Sequence, residues 1–141
     1  MRDGFVKVAA ATLNTKVADV EHNKREIFRL IDETIENGAK IVVFPELCIT
    51  GYTCGDLFSQ DILLSQSAKA LEEIAAYTTG KDGLFFVGLP YVVCNKLYNV
   101  AAAVCDGEVI GMVTKTFLPN YSEFYEMRQF QPGPKKADWI P

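Results

Sequence analysis

Ala39-Lys40-Ile41-Val42-Val43-Phe44-Pro45-Glu46 is the stretch on which the fold turns. Residues 39–44 form a nearly continuous apolar run, the pattern of a strand covered on both faces. Phe44 precedes a proline and so stays extended. Glu46 is therefore carried off the end of the strand rather than into a helix. Upstream, Gly38 closes a segment with helical periodicity. Asp19 stands where an N-cap is expected. Val20, Ile27, Leu30, Ile31 and Ile35 fall mostly on one face, with Arg25, Arg29, Glu33 and Glu36 largely on the other. Before that helix, Phe5 to Leu13 reads as another buried strand. Strand, helix, strand at this spacing is a βαβ unit with parallel strands.

Downstream, Glu46 to Gln60 reads as a loop with Gly51 and Gly55. A second helix is predicted over 61–78, with Leu64, Ala68, Leu71 and Ala75 as its apolar stripe. Strands are predicted over 84–93, 97–105 and 109–115. Cys94-Asn95-Lys96 marks one turn, and Asp106-Gly107 is a two-residue hairpin signal. The fold class is α/β: a mixed sheet with helices on one face. From Thr116 the pattern breaks into Pro, Asn, Tyr and Glu. The sequence closes on Ala137-Asp138-Trp139-Ile140-Pro141 just as a new apolar segment opens, which reads as a domain cut short.

The totals narrow the function classes. The 141 residues are 49% hydrophobic and 23% charged, as in a globular domain, and the net charge is -4. An acidic chain of this kind lacks the basic patch of a nucleic-acid binder. No apolar run reaches the roughly 18 residues of a membrane span, and the opening residues do not resemble a signal peptide. The expected location is cytoplasmic. The four cysteines, Cys48, Cys54, Cys94 and Cys105, and the single His22 have no zinc-ligand spacing. No metal or disulfide is expected, and most of the thiols read as small buried residues.

Two charged residues stand at strand ends, where α/β sheets bind ligands. Glu46 follows Ile41-Val42-Val43-Phe44-Pro45, and Lys115 follows Met112-Val113-Thr114. Taken singly, each fits an exposed strand tip or a structural ion pair as well as a site. Taken together, they place a carboxylate and an ammonium at the ends of strands expected to be neighbours. The lysine would keep Glu46 ionised and could stabilise an oxyanion.

Phe44-Pro45-Glu46-Leu47 with Thr50-Gly51-Tyr52, and Lys115-Thr116-Phe117-Leu118-Pro119, resemble the glutamate and lysine motifs of the nitrilase, or carbon-nitrogen hydrolase, superfamily. Gly51-Tyr52-Thr53-Cys54-Gly55-Asp56-Leu57-Phe58 and residues 118–128 are similar to loops of the glutaminase domain of glutamine-dependent NAD synthetases. The resemblance covers essentially the whole chain. It implies the N-terminal half of a four-layer αββα sandwich, whose uncovered sheet face is apolar. It implies a Glu-Lys-Cys triad in which Glu46 is the general base and Lys115 stabilises the tetrahedral intermediate. Glu123 is implied to position the lysine and substrate, and Tyr52, Tyr121 and Phe124 to line a glutamine pocket. The nucleophilic cysteine is expected beyond residue 141, so the stretch alone is expected to be inactive. The resemblance also implies that glutamine is the substrate, that a synthetase domain using ATP and magnesium follows, and that the protein forms homo-oligomers. This stretch itself carries no cofactor motif. Two alternatives remain: a stand-alone amidase or carbamoylase, and a non-catalytic half-domain that serves as a binding module.

Overall fold

The computed structural model describes residues 4–136. Five strands form one sheet in the order β1-β2-β3-β4-β5: β1 (Val8–Ala10), β2 (Ile41–Val43), β3 (Leu84–Val93), β4 (Lys96–Cys105) and β5 (Glu108–Thr114). The first three run parallel, joined by α1 (Val20–Glu36) and α2 (Asp61–Tyr77). The last two add antiparallel hairpins. Crossovers between parallel strands are right-handed. Two successive crossovers in one direction therefore stack both helices on one face, as the sequence pattern predicts. The helices touch through a Phe28–Tyr77 ring stack at 4.0 Å, and Lys81, just after α2, pairs with Asp32 of α1 at 2.8 Å.

Local chemistry explains the boundaries. The Asp19 side chain accepts the His22 N–H at 3.0 Å and caps α1. Gly38, at φ +81°, turns the chain out of the helix. Cys94-Asn95 and Asp106-Gly107 all have positive φ, as two-residue hairpin turns require. Two expectations need correction. The first strand is only Val8–Ala10, and Val8 is exposed, because it is an edge strand with one uncovered face. In α2 the buried stripe is Leu63, Ser67, Ala70, Leu71, Ile74 and Ala75 rather than one built on Leu64 and Ala68. The helix is apolar on more than one side, so periodicity alone misplaces its inner face by a fraction of a turn.

The core lies between helices and sheet, with Ile27, Ile31, Ile74, Val42, Phe85, Val87 and Val104 almost fully buried. Strand alternation sends Val8, Val43 and Val113 to the opposite face, where they are 66%, 48% and 71% exposed. That face is apolar, and among the described residues no helix covers it. The segment 137–141, read above as a new apolar element, lies outside the described residues.

Candidate active site

The chain leaves β2 through an elbow that carries Glu46 across the sheet. Phe44 N–H still bonds Phe86 O at 2.9 Å, and Ile49 N–H bonds Gly88 O at 3.2 Å. Between these bonds, residues 45–48 ride directly over β3. Leu47 takes a left-handed conformation at φ 52° although fully buried, and its carbonyl accepts the Gly51 N–H at 2.7 Å. A non-glycine residue in this region carries strain that the surroundings must hold, a feature that clusters at functional sites. Asn23 supplies part of that hold: its side chain spans Lys16 N, Lys16 O and Ile49 O at 2.8, 2.8 and 3.0 Å.

Gly88 makes the crossing possible. A Cβ there would lie 2.5 Å from Leu47 N and 2.7 Å from Pro45 O, both backbone atoms with little freedom to yield. Gly88→Ala is therefore expected to cost about 1–3 kcal/mol, the usual scale of overpacking. Chemical denaturation will read this as a lowered midpoint. An unchanged midpoint would show that the elbow is free to lift off β3.

The crossing explains how two distant strand ends meet. β2 and β5 point the same way, but β3 and β4 lie between them, so they are not the neighbours expected from the sequence. The elbow closes that gap. Lys115 Nζ reaches Glu46 Oε1 at 2.7 Å, a direct charge-assisted contact. Asn99 on β4 donates its side-chain N–H to the same oxygen.

Lys115 has a second carboxylate partner. Glu126, the first residue of the short helix α3 (Glu126–Gln129), accepts from Lys115 Nζ at 2.9 Å and from the Tyr52 hydroxyl at 2.7 Å, both on Oε1. Its Oε2 is buried without a hydrogen-bond partner among the described residues. This corrects the expectation for Glu123. The loop turns at Ser122 (φ 53°), and Glu126 N–H bonds Pro119 O at 3.3 Å, so the chain returns Glu126 to the lysine. Glu123 stays exposed and lines an adjoining cleft.

Burial on its own lowers the Lys115 pKa, but hydrogen bonds to Glu46 and Glu126 outweigh it and the net shift is upward. Lys115 therefore stays protonated through neutral pH. The stability this pairing contributes is complete below the ordinary lysine value of about 10.4. It is lost as pH rises through the raised folded value. Burial, then the bond to Glu126, raises the Tyr52 hydroxyl and keeps it a donor.

Two clefts flank this chain of contacts. One, of about 320 Å³, is lined by Tyr52, Glu123, Phe124, Glu126 and Arg128 among others. The second, of about 330 Å³, lies on the open sheet face and includes Val43, Phe86, Val113, Glu46, Asn99 and Lys115. Tyr52 and Phe124 thus border the first cleft. Tyr121 is 68% exposed and meets Phe124 edge to face at 5.7 Å.

The cysteines near the elbow are packing residues. Cys48 is 1% exposed and directs its thiol to Gly88 O at 3.5 Å, and burial pushes that thiol up to about 12. Burial also raises Cys54, which bonds Thr50 O at 3.1 Å. A thiol held protonated in this way is a poor nucleophile. Among the described residues no cluster of His, Cys, Asp or Glu could hold a metal, and no helix is long and apolar enough to cross a membrane.

Comparison with known proteins identifies the family. The carbon-nitrogen hydrolase family model matches residues 7–139. A glutamine-dependent NAD(+) synthetase of Aquifex aeolicus is 43% identical over 129 residues, covering 92% of this chain and 22% of the relative. The synthetase of Mycobacterium tuberculosis is 37% identical over 130 residues, covering 92% and 19%. Among solved structures, a glutamine-dependent NAD(+) synthetase from Cytophaga hutchinsonii superposes with a TM-score of 0.88 at 35% identity, over 94% of this chain and 22% of that one. An amidase from Nesterenkonia sp. shares the fold, with a TM-score of 0.82 at 21% identity over 99% of this chain and 53% of that one. The chain spans about a fifth of the length of these synthetases. With 133 of its 141 residues inside the matched range, the chain belongs to the carbon-nitrogen hydrolase family.

Proposed function

We propose that this chain forms the first part of the glutamine-hydrolysing domain of a glutamine-dependent NAD synthetase. The observation that carries the reading is the Glu46–Lys115–Glu126 arrangement, with Nζ held at 2.7 and 2.9 Å, at the rim of an open apolar sheet face. Sequence similarity to the synthetases supports the choice of glutamine over other amides.

In this reading a cysteine from outside residues 1–141 approaches over the open sheet face, which the rest of the domain covers. Glu46 accepts the thiol proton as sulfur attacks the carboxamide carbon of glutamine. Lys115 stabilises the oxyanion of the tetrahedral intermediate. Glu46 returns the proton to the departing nitrogen, and ammonia leaves. Water then adds to the thioester and gives its proton to Glu46; collapse breaks the C–S bond and releases glutamate, and Glu46 returns the proton to the departing thiolate. Glu126 restrains Lys115 through its Oε1. Tyr52 and Phe124 border the glutamine pocket, Tyr121 supports Phe124, and Glu123 lies at the pocket's outer edge. The ammonia serves a downstream synthetase domain that uses ATP and magnesium to amidate nicotinic acid adenine dinucleotide.

The test is to supply the full-length protein with nicotinic acid adenine dinucleotide, ATP and magnesium, and either glutamine or ammonium as nitrogen source. NAD should form with both. Ammonia release from simple amides without NAD formation would move the protein to the stand-alone amidases. The 141-residue chain alone should release no ammonia from glutamine. Sustained release that disappears in Cys48→Ala or Cys54→Ala would overturn the placement of the nucleophile.

A further inference from the structure

Among the described residues, Asn99 is the one buried polar side chain bonded to Glu46 to which the reaction above gives no task. Asparagine is disfavoured in strands, and burying its amide is costly without partners. Yet Asn99 sits in β4, between β3 and β5, and is 4% exposed. Its Nδ2 donates to Glu46 Oε1, and its backbone carbonyl accepts the Lys115 N–H at 2.8 Å. One residue therefore touches both members of the charged pair.

The contacts are asymmetric. Asn99 and Lys115 both donate to Oε1 of Glu46, and Oε2 accepts from neither. A free carboxylate can exchange its two oxygens by rotating about its last bond, so either could face an incoming thiol. Lys115 alone does not prevent this. Its ammonium sits on a flexible four-carbon stem, is shared with Glu126, and must also serve the oxyanion. Asn99 is short, neutral and fixed by the sheet.

We propose that Asn99 is a positioning residue for Glu46, holding Oε1 so that Oε2 is presented as the proton-accepting oxygen throughout the reaction. The catalytic part of this inference rests on the glutaminase reading, whereas the contact itself does not. When Lys115 turns toward the oxyanion, Glu46 keeps its orientation because the Asn99 bond remains. No proton passes through the amide.

The experiment uses the full-length protein. Asn99→Asp keeps the side-chain shape, removes the donor and sets two carboxylates together. Such a pair shares one proton as pH falls. Near pH 8, kcat for glutamine hydrolysis should drop about 10²-fold, as for a misplaced catalytic group, with KM little changed. The loss should shrink on acidification, because the introduced carboxyl, once protonated, donates to Glu46. Asn99→Ala, which cannot titrate, should lose kcat without that recovery. Ammonia-dependent NAD formation should persist in both. The contact is tested separately by thermal unfolding of the wild type, Asn99→Asp, Glu46→Gln and the double variant. The double variant exchanges donor and acceptor, so its Tm should recover most of the loss seen in Asn99→Asp without recovering glutamine hydrolysis.

Additive Tm changes would show that the two side chains do not hold each other, and would overturn the proposal. A coupled Tm with a pH-independent loss in Asn99→Asp, or a change in KM alone, would overturn the positioning role. If the wild type hydrolyses no glutamine, the glutaminase reading fails, while the thermal cycle still decides whether Asn99 holds Glu46.

Discussion

Glu46→Gln in the full-length protein is expected to lower glutamine-dependent NAD formation by about 10²–10⁴-fold, the range for loss of a positioned general base. Ammonia-dependent formation should remain near the wild-type rate. The substitution keeps the size of the side chain and one acceptor oxygen, so the elbow over Gly88 is not disturbed. In the proposed reaction it removes the base that would take a proton from the thiol and later from water. It also removes the charge opposite Lys115, which retains Glu126 at 2.9 Å. The split between nitrogen sources is the informative readout. Added ammonium bypasses a glutaminase site but does not repair a misfolded domain. Equal loss with both sources would mark Glu46 as a structural residue, and retention of both would remove it from the reaction.

The parts of this site that were legible in the sequence are those governed by local rules. An apolar run followed by Pro45 states where β2 ends, and Asp106-Gly107 states where the β4–β5 hairpin turns. Once both ends are known, Glu46 and Lys115 follow as strand-end charges. What local rules do not carry is the lateral path of the elbow. It depends on Gly88, 42 residues after Glu46, leaving room for a backbone to cross. The buried face of α2 departs from the periodic stripe for a related reason: it is chosen by packing against α1 and β3, which the helix's own periodicity does not encode.

Glu126 and Asn99 illustrate two further limits. Distance along the chain favours neither Glu123 nor Glu126 as the partner of Lys115. The left-handed turn at Ser122 decides between them, and a serine does not announce that conformation as a glycine would. Asn99 did carry a signal. It is a lone polar residue inside the apolar strand Leu97-Tyr98-Asn99-Val100-Ala101-Ala102-Ala103, and a buried polar group needs a partner. The sequence does not say which partner, because that depends on the elbow reaching two strands across.

Lys115→Met is expected to be the most damaging change for structure and activity together. Glu126 is 5% exposed, and without the ammonium its carboxylate keeps, among the described residues, only the Tyr52 hydroxyl. An unpaired buried carboxylate is destabilising, and the loss should be about 2–4 kcal/mol. That lies at or below the usual cost of breaking a buried pair, because Lys115 is itself 30% exposed and water partly screens the interaction. The Glu46 contact adds little to this figure, since Glu46 is 42% exposed. Glutamine hydrolysis should fall by about 10²–10³-fold through loss of oxyanion stabilisation. The two effects separate in Lys115→Met/Glu126→Gln. Removing the orphaned charge should return most of the stability, read as the denaturation midpoint, because a neutral amide is far cheaper to bury. The catalytic loss should persist, because no cation then faces the tetrahedral intermediate. Recovery of activity along with stability would show that Lys115 acts only as a counter-ion for Glu126. An unchanged midpoint in the single variant would show that Glu126 does not depend on Lys115 for its charge.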